Sequence, residues 1–214
     1  MEGVHRSVRG GVVRVIAGEF RSRRLVGPPP GVRPTSDRVR EAIFSSLGPV
    51  DGKSVLDLYA GTGALGIEAL SRGAARAVFV DRSRRSISVI RANLEALGIM
   101  DRSDLVQQDA DTFVKGTLDG SEPFDLVFLD PPYGAAGLDR VLCEISTATW
   151  LDSGAQVVVE TSSRDTMGEV AGLRMRSERD YGDTRISRFD APGPEASGAA
   201  GAVTEGRGKD SDVQ

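Results

Sequence analysis

Short runs of consecutive apolar residues alternate along this chain with segments whose apolar positions recur every three or four residues. SVLDLY (54–59), ARAVFVD (75–81), SDLVQQD (103–109), FDLVFLD (124–130) and AQVVVE (155–160) read as buried strands. Residues 64–72, 84–97 and 138–146 carry helical spacing between them. The alternation predicts an α/β protein, with a mostly parallel sheet covered by helices on both faces. After Glu160 the rhythm changes: LRMRSERDY and TRISRFD, separated by Gly182-Asp183, predict a hairpin that gives the sheet an antiparallel edge.

Ahead of this repeat, VVRVIAG and SRRLVG predict a small hairpin, followed by the connector PPPGVRP. TSDRVREAIFSSL then reads as a helix capped by Thr35 or Ser36, with Val39, Ile43, Phe44 and Leu47 on one face. The expected organisation is a disordered N-terminus (1–11), a basic hairpin-and-helix extension (12–50), the main α/β domain (51–190) and a disordered acidic tail (191–214). The tail is rich in Gly, Ala and Pro and has no aromatic residue, so it buries too little to offset its ordering entropy.

Composition narrows the picture. With 214 residues, 39% of them hydrophobic and 27% charged, the chain supports one sizeable core. One Cys and one His argue against an internal disulfide and against a protein-bound metal. Cys143 and Trp150 are expected in the core and His5 in a loose end. No apolar stretch reaches the roughly 20 residues of a membrane span, so the expected location is the cytoplasm. The net charge of −4 hides an asymmetry. Residues 1–40 carry nine Arg against three acidic residues, whereas residues 190–214 carry five acidic residues against Arg207 and Lys209.

The candidate chemistry lies at the strand ends. Gly61-x-Gly63-x-x-Gly66 falls between a strand and a helix, where glycines let backbone N–H groups approach a ligand. Asp81, twenty residues after Gly61, ends the next strand, where a carboxylate accepts from ribose hydroxyls. The pair indicates a nucleoside-bearing cofactor. NAD satisfies the fingerprint, but Asp57, inside the strand end, would repel phosphates and suits a cation such as the sulfonium and ammonium of S-adenosylmethionine (SAM); a turn-capping role for Asp57 is the plainer alternative. Asp109 is a candidate acceptor for the adenine amine, with helix capping as its alternative. Asp130-Pro131-Pro132-Tyr133 leaves the fourth strand as a stiff extended loop. Next to SAM, the Asp130 carboxylate and the Pro131 carbonyl would accept both hydrogens of an exocyclic amine and aim its lone pair, while Tyr133 stacks on the base.

These motifs, VLDLYAGTGALGIEALSRGA, FVD, FDLVFLDPPY and RDYGDTRISRF, together with the leader RVIAGEFRSRRL…RPTSDRVREAIFSSL, resemble the RsmD family of SAM-dependent methyltransferases, which act on guanine N2 in small-subunit ribosomal RNA. The resemblance runs from about Val13 to Phe189, and the leader is its discriminating part, because the Asp-Pro-Pro-Tyr loop also occurs in adenine, cytosine and glutamine N-methyltransferases. It implies a class I (Rossmann-like) methyltransferase with a mostly parallel seven-stranded sheet and an antiparallel last strand. It places Asp130 and Tyr133 in the amine-binding loop and Asp57, Gly61, Gly63 and Asp81 on SAM, with Tyr59 beside them. The implied partner is small-subunit ribosomal RNA or an assembling small subunit, modified at guanine 966. No membrane or metal is expected, and a monomer is favoured. Arg14, Arg21, Arg23, Arg24 and Arg33 would grip phosphates around the target; an ordinary solvated face is the alternative. The acidic tail and long N-terminus depart from the family pattern, and Gln108 stands where a glycine often precedes the adenine-contacting carboxylate. An NAD-dependent oxidoreductase, a methyltransferase for another amine and a catalytically silent RNA-binding module remain as alternatives.

Overall fold

A computed structural model describes residues 13–28, 35–116, 122–132 and 137–191. Strands β1 (Val13–Arg14) and β2 (Arg24–Leu25) pair antiparallel as the leader hairpin, and helix α1 (Asp37–Leu47) follows. The main sheet then builds from β3 (Ser54–Leu58), α2 (Ala64–Ser71), β4 (Arg76–Asp81), α3 (Arg84–Leu97), β5 (Ser103–Gln107), α4 (Ala110–Lys115), β6 (Phe124–Leu129), α5 (Leu138–Ser146), β7 (Leu151–Ser162), β8 (Arg174–Tyr181) and β9 (Thr184–Asp190). Its spatial order is β5-β4-β3-β6-β7-β9-β8. The pairs from β5 to β7 are parallel, and β9 runs antiparallel between β7 and the edge strand β8. This is the class I methyltransferase sheet, with its chain reversal between β3 and β6.

Strand alternation divides the core into two layers. Val55, Phe79, Phe128 and Val158 face the layer that also contains Ile67 and Leu70 of α2 and Ile90 and Leu94 of α3. Leu56, Leu58, Val127 and Val157 face the other layer, with Phe113 of α4, Val141, Leu142 and Ile145 of α5, and Trp150. The leader belongs to the first layer: Val13, Val15, Phe20, Leu25, Val39, Ile43, Phe44 and Leu47 all pack into it. Its loop is tied to α2 by buried acceptors. Glu68 accepts from the N–H groups of Ile16 (2.7 Å) and Ala17 (3.0 Å), and Ser71 Oγ accepts from Phe20 N–H at 3.0 Å. These tetherings satisfy the backbone of a loop that has too few residues to form its own sheet.

Ser36 caps α1, its hydroxyl accepting from Val39 N–H at 3.3 Å, and the expected face of Val39, Ile43, Phe44 and Leu47 is buried. Several expectations are corrected. Tyr59 does not continue β3: its φ of 59° is left-handed and turns the chain into the glycine loop. The third strand stops at Gln107, and Asp109 instead caps the short helix α4, accepting from Asp111 N–H at 3.0 Å. Six residues with only Phe113 and Val114 as large apolar positions give too little periodicity to reveal that helix. Cys143 is exposed, because the inward face of α5 is Val141, Leu142 and Ile145, and position 143 points about 100° away from Leu142. Trp150 is buried, stacked edge-on against Phe124 at a centroid distance of 5.9 Å. Ala191 is ordered and buried, its N–H donating to Ala155 O at 2.8 Å, so the packed chain extends one residue past the expected tail boundary. His5 and the other expected disordered residues, 1–11 and 192–214, lie outside the described residues. Among the described residues no helix is long and apolar enough to cross a membrane.

Candidate active site

The strand register places the acidic residues in a pattern. Leu58 pairs with both Val80 and Leu129, and Leu129 pairs with Val159, so Asp81, Asp130 and Glu160 each follow that row by one residue. Asp57 lies two rows below, level with Phe79 and Phe128. With a side-chain period of two, all four carboxylates stand on the face covered by α1, α2 and α3. They cluster where β3 and β6 diverge toward opposite halves of the sheet, the place where ligands of open α/β sheets bind.

The glycine loop is built for close approach. Gly61 and Gly63 have φ of 57° and 77°, and a side chain on Gly63 would sit 3.2 Å from Ile90 Cγ2. Asp81 organises the loop: its Oδ2 accepts from Gly61 N–H at 2.9 Å and its Oδ1 from Ser83 N–H at 2.7 Å. Gly66 serves packing, because a Cβ there would lie 2.3 Å from the Phe79 ring. Its N–H donates to Asp57 Oδ2 at 2.9 Å, which gives Asp57 a structural role inside the first turn of α2. Burial pushes the Asp57 carboxyl well above the usual range; Gly66 opposes this, and the charges of Asp130 and Asp81 add to it.

Asp130 begins the loop after β6, its N–H still directed at Leu58 O at 3.5 Å. Thr35 Oγ1, just ahead of α1, donates to Asp130 Oδ2 at 2.9 Å. Burial raises the Asp130 carboxyl to about 6, and the Thr35 hydrogen bond acts against that rise. Burial also raises the Tyr59 phenol, with Asp109 and Asp111 contributing.

One cavity of about 1020 Å³ joins these groups, large enough for a nucleoside cofactor and a substrate base together. Tyr59, Gly61, Asp81 and Asp109 line one half; Asp130, Pro131 and Pro132 lie between; Ser36, Val39, Glu160 and the Tyr181–Thr184 turn line the other. Among the described residues its walls carry seven carboxylates (Asp57, Asp81, Asp109, Asp111, Asp130, Glu160 and Asp183) against the guanidinium groups of Arg82 and Arg140. That balance suits a cationic ligand and opposes a pyrophosphate. Among the described residues no group of three His, Cys, Asp or Glu side chains is placed to hold a metal ion.

The family model described as Conserved hypothetical protein 95 matches residues 13–190. This chain belongs to that family. It is 35% identical over 184 residues to the putative rRNA methyltransferase YlbH of Bacillus subtilis, covering 85% of this chain and 100% of that protein. It is 39% identical over 155 residues to ribosomal RNA small subunit methyltransferase D of Escherichia coli K12, covering 71% and 75%. The resemblance to the RsmD family read from the motifs therefore holds. Among solved structures, the putative methyltransferase yhhF of E. coli superposes with a TM-score of 0.75 at 30% identity, covering 85% of this chain and 99% of that one. An RNA methyltransferase of Salinibacter ruber in complex with S-adenosyl-L-homocysteine, 22% identical over 74% of this chain and 94% of that one, has the same fold at a TM-score of 0.57.

Asp57, Tyr59, Gly61, Asp81, Asp109, Asp130, Pro131 and Pro132 all line the cavity; Gly63 does not, and a side chain there would meet Ile90 and Ile67 in the core. Tyr133 and Arg33 lie outside the described residues. None of the described leader arginines lines the cavity. Arg14 pairs with Asp37 at 2.8 Å, one residue from the α1 cap; Arg23 donates to Ala96 O at 2.9 Å in the last turn of α3; Arg21 and Arg24 are exposed. Sequence reasoning missed Thr35 as a partner of Asp130, and it missed Glu160, Arg140 and the Tyr181–Thr184 turn. The run AQVVVE, ending in an acid like the three runs that end in Asp81, Asp109 and Asp130, was the available signal for Glu160. The contribution of the hairpin turn has no local signature, because it depends on β9 inserting beside β7.

Proposed function

We propose that this chain is a SAM-dependent methyltransferase that modifies the exocyclic N2 amine of a guanine in small-subunit ribosomal RNA, with guanine 966 as the position implied by the resemblance. The observation that carries this reading is the Asp130-Pro131-Pro132 loop, its carboxylate held by Thr35, on the wall of the same cavity that the glycine loop and Asp81 line. The site fits the cofactor by charge and by shape. Asp81 meets the ribose hydroxyls, the backbone at Gly61 and Gly63 permits close approach, Asp109 lies toward the adenine, and the acidic walls favour a cation where they would repel NAD. Asp57 tunes the loop through Gly66. When bound, SAM supplies an electrophilic methyl group on a sulfonium.

The protein's contribution is to the nucleophile. An exocyclic amine of a base is poorly nucleophilic because its lone pair is delocalised into the ring. The Asp130 carboxylate and the Pro131 carbonyl accept its two hydrogens, draw the nitrogen toward tetrahedral geometry and hold it in line, the positioning terms that lower such barriers. The carboxylate of Asp130, raised to about 6, is ionised at neutral pH yet basic enough to take the proton the amine sheds. Pro132 stiffens the loop, and Tyr133 stacks on the extruded base. The leader arginines Arg14, Arg21, Arg23, Arg24 and Arg33, joined by the exposed Arg84, Arg85 and Arg91 of α3, contact RNA phosphates. The cytoplasm, where small subunits assemble, is the site of action.

The test is methylation by the purified protein, with labelled SAM, of unmethylated small-subunit RNA, both naked and in assembled particles, followed by mass spectrometry of the nucleosides. N2-methylguanosine is expected from the wild type and none from Asp130→Ala. Methyl groups on adenine or cytosine instead would transfer the chain to another amine class, and no product with either substrate would favour a silent RNA-binding module.

A further inference from the structure

Glu160 is the buried carboxylate of the cavity wall to which nothing so far assigns a task. It follows Val159 as Asp130 follows Leu129, in adjacent parallel strands, so the two carboxylates rise side by side from strands about 4.8 Å apart. Its cross-strand partner Ile186 packs in the layer beneath α1 to α3, which fixes the face from which Glu160 rises. Only 5% of Glu160 is exposed, yet it lines the cavity, on the side of Asp130 opposite to Asp81 and the glycine loop. The cofactor half lies over β3 and β4; Glu160 therefore belongs to the half that receives the base.

We infer that Glu160 selects guanine by accepting the N1–H of its Watson–Crick edge while Asp130 and Pro131 hold the N2 amine. The inference rests on the reading of the site as a guanine-N2 methyltransferase and supplies what the amine loop lacks. A carboxylate and a carbonyl that accept two amine hydrogens take any planar exocyclic amine. Bases differ in the ring nitrogen beside it. In guanine that nitrogen, N1, is a donor; in adenine the N1 and in cytosine the N3 beside the amine are acceptors. A carboxylate oxygen accepts and, unlike an amide, brings no N–H, so it pairs with the first and not with the others. A site that sets an acceptor against the ring nitrogen discriminates against a base that presents a lone pair there, because the two acceptors repel each other. Glu160 has one methylene more than Asp130, which lets it reach past that residue toward the ring.

The decisive substrate pair is an RNA carrying either guanosine or 2-aminopurine at the position the wild type methylates. 2-Aminopurine keeps the N2 amine and replaces the N1 donor with an acceptor. The wild type is expected to prefer guanosine by at least about 100-fold in kcat/KM. In Glu160→Gln, whose amide donates as well as accepts, the preference should fall to within about tenfold. Glu160→Asp should keep the preference at a reduced rate. Calorimetric affinity for S-adenosyl-L-homocysteine within a few-fold of wild type shows that each variant is folded. An undiminished preference in Glu160→Gln overturns the inference, and so does a wild type that treats the two bases alike. Methylation of adenine or cytosine in natural RNA would instead sink the underlying reading.

Discussion

Thr35 Oγ1 donates to Asp130 Oδ2 at 2.9 Å, joining the start of α1 to the loop after β6 across 95 residues of sequence. The bond favours the ionised carboxylate that burial disfavours. If transfer needs that carboxylate charged, kcat/KM should fall on the acid side with a midpoint near pH 6. Thr35→Val removes the donor, so the acid limb should move upward by about one pH unit, the scale of a charge-assisted hydrogen bond. Thr35→Ser should restore it. A uniform loss of rate at every pH would instead mean that Thr35 only supports the fold.

The same carboxylate makes stability depend on pH in the opposite direction to most acids. Its folded value, about 6, lies above the ordinary 3.8, so the folded state holds this proton more tightly than the unfolded chain does. That contribution is complete below about pH 4 and is lost as pH rises through 6. Asp130→Asn removes the cost of the buried charge and should stabilise the protein at pH 7.5 by up to about 3 kcal/mol, while abolishing transfer. The gain should shrink to nothing toward pH 4. Urea unfolding at the two pH values measures it; a variant equally stable or weaker at pH 7.5 would show that the charge is already well solvated.

Much of this architecture is legible in the chain because its central strands, β3, β4, β6 and the second half of β7, are buried on both faces and read as apolar runs. The glycine loop, Asp81 and Asp130 are legible for the same reason, being punctuation at the ends of those runs. Thr35 and Glu160 were not, because their roles arise from packing between distant segments: α1 onto the β6 loop, and β7 beside it. Asp57 shows the converse. Its position suggested a ligand contact, and the structure gives it a backbone partner, Gly66 N–H, as well as a place on the cavity wall.

Gly66 completes the glycine motif, yet its constraint is steric and comes from the sheet. A methyl group at this position would approach Phe79 Cε1 to 2.3 Å and Cζ to 2.8 Å in the fully buried layer between α2 and β4. Gly66→Ala should therefore destabilise the protein by about 1–3 kcal/mol despite its better helix propensity. Phe79→Leu in the same chain should recover part of the loss. Thermal unfolding of the two single variants and the double variant reads this coupling, and simple additivity would place the strain elsewhere.

An acidic chain that takes an RNA substrate must meet it with a local excess of positive charge. The net charge of −4 is an average: among the described residues Arg84, Arg85 and Arg91 on α3, like Arg21 and Arg24 of the leader, are exposed and form no ion pair. Arg23 reaches the last turn of that same helix through Ala96 O. The twelve steps from Arg84 to Ala96 span about 18 Å at 1.5 Å per residue, so leader and helix together extend a line of exposed arginines from Arg82 at the cavity. Each phosphate contact contributes about 0.7 to 0.9 to the log–log slope of affinity against salt. Replacing Arg21, Arg23 and Arg24 with Ala should make that slope shallower by about two to three units, and Arg84→Ala with Arg85→Ala by about one and a half to two. Neither set should change the affinity for S-adenosyl-L-homocysteine by more than a few-fold, since these side chains lie outside the cavity. Filter binding of small-subunit RNA across a salt series measures both slopes. A slope unchanged in the leader triple but reduced in the helix pair would confine the RNA track to α3 and leave the leader arginines as a solvated face.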